Sequence, residues 1–251
     1  MVAGHDEFAR VLDAARGDER IVGLLLGGSR GKDPAFVTER SDYDVYLIVA
    51  DAATRDEYVR IFPSVRGDLV EIFVFTLGSF RRHALPGSDS EWNAYTFAHV
   101  APLIDRLGGE IAGLAAEKAR RDPDSAAPPL LDAYINSYYR AAKSGRDRLR
   151  LESHLDAAES IGWLIDFLFA ACGRVRPYNK WLMWELRNHP LPRPWSEDRL
   201  APVIAGVLQS RDLRIQQELF RDVEQFARAR GYRAIVDGWQ QNLPWLRGEE
   251  P

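Results

Sequence analysis

Leu24-Leu25-Leu26-Gly27-Gly28-Ser29-Arg30-Gly31 and, after a loop, Ser41-Asp42-Tyr43-Asp44-Val45-Tyr46-Leu47-Ile48-Val49 decide the fold. They read as an apolar strand, a Gly-Gly-Ser turn opening a short helix, a loop, and a second strand headed by alternating aspartates. Residues two apart on a strand point the same way, so Asp42 and Asp44 aim both carboxylates at one point. Two hard oxygen ligands beside a Gly-rich turn with free backbone donors suit a magnesium-bound polyphosphate. Further on, Asp68-Leu69-Val70-Glu71-Ile72-Phe73-Val74-Phe75 places Glu71 as a lone acid inside an apolar strand. Such a charge is costly unless it is paired or metal-bound.

Gly27-Gly28-Ser29, Ser41-Asp42-Tyr43-Asp44 and Val70-Glu71-Ile72 together resemble the three-part signature of the DNA polymerase β-like nucleotidyltransferase superfamily. The resemblance implies Mg2+ held by Asp42 and Asp44, and a nucleoside triphosphate, ATP by expectation, whose phosphates meet Gly28 and Ser29. Glu71 then either completes a second metal site or takes the proton from the acceptor hydroxyl. Arg30 and Ser41 flank the motif residues and are candidate phosphate contacts. An acceptor oxygen attacks the α-phosphorus in line and pyrophosphate leaves.

Composition narrows the classes. Net charge is −4 and the sequence pI is about 5.8, so no global field favours a nucleic acid or an anionic membrane. This argues against a polymerase-like role, and DNA is not an expected partner. The single cysteine, Cys172 in Phe167-Leu168-Phe169-Ala170-Ala171-Cys172, excludes an internal disulfide and reads as a buried structural thiol. The histidines are scattered without zinc-ligand spacing, no nucleophile elbow is present, and Gly27-Gly28-Ser29-Arg30-Gly31 lacks the Gly-Lys-Ser/Thr of a Walker A loop. Met1 to Arg10 shows no apolar leader, and no apolar run reaches the roughly 18 residues of a membrane span. A cytoplasmic protein is the expectation.

Outward from the motif, Asp6–Ala15 has the spacing of one helix face, and Ile21–Leu26, Asp44–Val49 and Leu69–Phe75 are strands. Thr54–Ile61, Ser79–Leu85, Glu91–His99 and Glu110–Arg120 read as helical, with an edge strand at Ala101–Asp105. Arg120 to Pro129, with prolines, charges and small residues, reads as a linker. Beyond it, helices are expected at Leu130–Leu151, Glu152–Cys172, Asn179–Arg187, Glu197–Gln209, Asp212–Arg230 and Ala234–Gln241. The fold class is α+β: a small mixed-sheet nucleotidyltransferase core, residues 1–122, followed by an all-helical bundle, residues 128–251.

That architecture is similar to bacterial antibiotic adenylyltransferases of the aminoglycoside or streptomycin type. The similarity implies transfer of AMP to a hydroxyl of a small molecule, an antibiotic among the candidates, and so a role in antibiotic resistance. A protein or tRNA acceptor, as in toxin–antitoxin enzymes, and a non-catalytic nucleotide-binding protein are the alternatives. In Arg176-Pro177-Tyr178-Asn179-Lys180-Trp181, Lys180 either reaches the triphosphate as a point charge or lies in water beside core tryptophans. On Glu152–Cys172, an apolar stripe of Leu155, Ala158, Gly162, Ile165, Phe169 and Cys172 faces a core. The opposite face carries Glu152, Asp156, Glu159, Trp163 and Asp166, either as solvated acids or as the lining for an aminated acceptor.

Overall fold

The structure, a computed structural model, describes residues 4–63, 69–210 and 212–249. The first three residues of the N-terminal reading, and Asp68 at the head of the third strand, lie outside the described residues. The chain divides into two compact units, Met1–Arg120 and Arg121–Pro251.

The N-terminal unit is a four-stranded mixed sheet with helices. Its elements are α1 His5–Gly17, β1 Ile21–Leu26, α2 Gly28–Lys32, β2 Tyr43–Val49, α3 Ala52–Ile61, β3 Val70–Thr76, α4 Leu77–Arg82, β4 Pro102–Asp105 and α5 Glu110–Lys118. Strand order is β3-β2-β1-β4. β1 runs antiparallel to β2 and to β4, while β2 and β3 are parallel and joined through α3. Asp51 caps α3 by accepting the Thr54 N–H at 2.8 Å. One sheet face packs Leu24, Leu26, Val45, Leu47, Val70 and Ile72 into a core with Val11 and Ala15 of α1 and Tyr58 of α3. Continuous apolar runs made these strands legible, because each fills its core side with Val, Ile or Leu.

The C-terminal unit is helical: α6 Pro123–Arg146, α7 Arg150–Ala170, α8 Leu182–Asn188, α9 Glu197–Gln209, α10 Leu213–Ala229, α11 Arg233–Asp237 and α12 Leu243–Arg247. Its core gathers Leu131, Tyr138, Leu164, Phe167, Trp195 and Phe220 among others. Among the described residues, no helix is long and apolar enough to cross a membrane.

Three expectations are corrected here. The linker read at Arg120–Pro129 is mostly helix. Asp122 caps α6, accepting the Asp124 N–H at 3.3 Å, and Pro123 opens it where no N–H is needed. Pro128 and Pro129 lie inside α6, and the carbonyls they would leave unbonded belong to exposed Asp124 and Ser125, which water reaches. The apolar stripe of α7 was drawn on the wrong side at its start. Leu155 is 61% exposed, and the buried face runs through Ala157, Ile161, Leu164 and Leu168. The acidic face of α7 is largely neutralised within its own unit. Arg140 on α6 binds Asp156 at 3.0 Å and also Glu159, Arg176 binds Asp166 at 2.8 Å, and Trp163 packs against the core. Cys172 is half-buried and burial pushes its thiol up, consistent with a structural role.

Candidate nucleotide site at the head of the sheet

β1 ends at Leu26, opposite Val45, and the chain turns at Gly27 directly across from the start of β2. The Gly27 N–H donates to the Asp44 carbonyl at 2.8 Å, so turn and strand head are one hydrogen-bonded piece. Gly28 follows at φ 58°, and a Cβ there would stand 2.3 Å from Asp44 Oδ2. At Gly31 a Cβ would fall 1.8 Å from the Leu26 carbonyl oxygen, so the tight return of α2 onto β1 requires glycine. Ser29 lies between them, half-buried near the head of α2.

β2 and β3 pair in register with Asp44 beside Glu71. Neighbouring strands lie about 4.8 Å apart and paired residues share a face, so both carboxylates leave the same side of the sheet. Both residues are half-buried, at the second position of their strands. Along the same face, Tyr46 stacks on Phe73 with ring centroids 5.1 Å apart, giving the acids an aromatic floor. Asp42 sits one residue ahead of β2 and is exposed.

Arg30 turns toward the backbone of this loop. Its Nη2 donates to the Ser41 carbonyl at 2.8 Å and its Nε to the Asp42 carbonyl at 3.1 Å. The guanidinium also lies 4.0 Å from the centroid of the Tyr43 ring, which stacks on Phe8 of α1 at 4.6 Å. It thus positions the strand head that carries Asp42 and Asp44. The Ser41 hydroxyl accepts the Thr38 N–H at 2.8 Å and closes a turn. Lys180 belongs to the C-terminal unit, where it is exposed with its ammonium 5.8 Å from the Trp181 ring, while Trp181 and Trp184 are buried.

Sequence reading overlooked the polar support behind the turn. Asn93 Nδ2 donates to the Tyr46 hydroxyl at 3.2 Å and lies 3.0 Å from His83 Nε2, and the Thr96 hydroxyl donates to Asn93 Oδ1 at 2.6 Å. Burial, followed by the nearby Lys118 charge, lowers the His83 pKa, favouring the neutral ring. Lys32 at the end of α2 donates to the Tyr95 carbonyl at 2.9 Å. No period or motif in Glu91–Phe97 announces these contacts, because that segment is 3₁₀ and follows neither helical nor strand spacing.

Among the described residues, no three acidic, histidine or cysteine side chains converge into a closed metal cage. Magnesium does not need one, since it is ordinarily held by one or two carboxylates together with phosphate and water oxygens. An oxygen-only pair, Asp42 and Asp44, beside a turn with no room for a side chain at Gly28 suits that open kind of site.

No family model matches the chain, and no curated protein does. Among solved structures, a nucleotidyltransferase-like protein from Exiguobacterium sibiricum 255-15 is similar at a TM-score of 0.37 and 10% identity. That alignment covers 89% of this chain and 79% of the other. A likeness so remote has no bearing on activity, and the functional reading rests on the geometry above.

Proposed function

We propose that the N-terminal unit is a magnesium-dependent nucleotidyltransferase that moves AMP from ATP to a hydroxyl of a small molecule. The observation that supports it is the in-register pair Asp44–Glu71 on one sheet face, with the Gly28 backbone against the Asp44 carboxylate. In this reading Asp42 and Asp44 hold the metal, and Gly28 and Ser29 receive the terminal phosphates. Magnesium, when bound, offsets phosphate charge and polarises the α-phosphoryl group. Glu71 either accepts the proton of the acceptor hydroxyl or adds to a second metal site. The acceptor oxygen forms its bond to the α-phosphorus as the bond to pyrophosphate breaks. Lys180 is proposed as a further phosphate contact, and residues 1–122 and 128–251 as the catalytic and helical domains. An aminated, antibiotic-like acceptor loses part of its ground, because Arg140 and Arg176 already match most of the acidic face of α7.

Calorimetry with ATP tests the reading. Binding is expected with magnesium and not in EDTA, because the phosphates would meet the carboxylates with no cation between them. Asp44→Asn should weaken the magnesium-dependent binding. Equal affinity in EDTA overturns the proposal. A nucleotide-binding protein without transfer is the second reading, favoured by the lack of a converged third acid among the described residues. Transfer of label from α-labelled ATP to any of a panel of hydroxylated compounds separates the two.

A further inference from the structure

The C-terminal unit contains a cavity of about 610 Å³ within its own helices, between the facing parts of α6 and α7, the first turn of α10, and α12. Small side chains make the room: Ala141 and Ala142 of α6 and Ala157 of α7 line it, each no more than 4% exposed. Nearby the two helices come close enough that a Cβ on Gly145 would meet Ser153 Oγ at 3.2 Å. The volume falls within the range of small-molecule sites.

Its charge runs against that of the protein. The chain carries −4 overall, yet Arg146, Arg150 and His154 line this cavity, and no acidic side chain does so among the described residues. Among the described residues, Arg146 pairs with its sequence neighbour Asp147 on the exposed surface, a contact that contributes little and leaves the guanidinium able to turn. Arg150 makes no ion pair among the described residues. Trp245 adds an indole wall, with the Arg146 guanidinium 5.5 Å from its ring centroid. Gln216 completes the lining from α10. It is only 9% exposed.

From these we infer that the helical unit binds a small planar aromatic anion. The alanine floor and the indole take the flat apolar body. The two arginines and the histidine take the carboxylate, sulfonate or phosphate. Nothing in this inference depends on the carboxylate site of the N-terminal unit.

The test is a fluorescence titration of the full-length protein with 8-anilinonaphthalene-1-sulfonate, an anion with a flat naphthalene body. One equivalent should bind. Ala157→Leu, which fills the cavity, and Arg150→Gln, which alters an exposed side chain and spares the fold, should each weaken binding about tenfold or more, as loss of volume or of a charge-assisted contact does. Binding of wild-type strength in Arg150→Gln, or equal binding of the planar cation proflavine, overturns the proposal. So does loss of binding in Leu151→Ser/Leu155→Ser with retention in Ala157→Leu, since the dye would then sit on the exposed leucines of α7. Competition by indole-3-acetate or by adenosine monophosphate supports the inference and tells a carboxylate from a phosphate ester. Displacement by neither overturns it.

Discussion

The backbone of Gly28 rests against the carboxylate of Asp44 with no space for a Cβ between them. Two separable costs therefore attend Gly28→Ala: a left-handed backbone that alanine resists, about 1–2 kcal/mol, and a clash with Oδ2 of about 1–3 kcal/mol. In an Asp44→Ala background only the first should remain. Chemical denaturation of the four proteins of this cycle measures the coupling, and an equal cost in both backgrounds would show that the close approach is absent in solution.

The two in-register acids give a prediction for activity. Asp44→Asn should lower transfer by at least about a hundredfold. Glu71→Gln should lose about 10²–10⁴ in rate if the residue is the base, with nucleotide binding kept. Full turnover by Asp44→Asn would refute the proposed function.

Arg30 distinguishes positioning from phosphate binding. Its two backbone acceptors, Ser41 and Asp42, are met by a planar fork that lysine cannot reproduce. Arg30→Lys and Arg30→Gln should thus lower stability alike, by about 1 kcal/mol. A lysine that restores wild-type ATP affinity where glutamine does not would instead make the charge a phosphate contact.

Acid sensitivity should centre on Asp18. Hydrogen bonds from Arg20, whose Nη2 lies 2.7 Å from Oδ2, hold this carboxyl down from the ordinary 3.8 to about 2. Tyr58 of α3 adds its hydroxyl at 3.0 Å. Because the folded pKa is the lower one, the stabilisation is complete above about pH 4 and is lost as pH falls toward 2. Melting curves of the parent and Asp18→Asn should run parallel at neutral pH and converge at the acid end. A constant gap down to pH 2 would remove Asp18 from the acid response.

What the sequence disclosed follows from how local each signal is. Ile21–Leu26 and the glycine turn were readable because a buried strand and a left-handed residue each leave a mark within a few positions. The head of β3 was readable because Glu71 interrupts an apolar run. The hydrogen bonds of Arg30 left no mark in the sequence because its partners, the Ser41 and Asp42 carbonyls, are backbone atoms that any residues would offer. The helix through Pro128 and Pro129 was hidden because buried Ala127 and Leu131 outweigh local propensity there, and tertiary packing has no short-range signature. Asp166 looked available until Arg176, ten residues on, came round to meet it.

The edge strand β4 bears on biogenesis. β1, β2 and β3 assemble the whole carboxylate end from the first 76 residues, but the outer edge of β1 is covered only when Pro102–Asp105 arrives. A nascent chain, or a fragment, that stops short of Pro102 therefore has its acids and glycines in place and an open row of backbone donors and acceptors along β1. Such an edge recruits strands from other chains. The stretch between β3 and β4 thus marks an interval of synthesis in which the outer edge of β1 stands open.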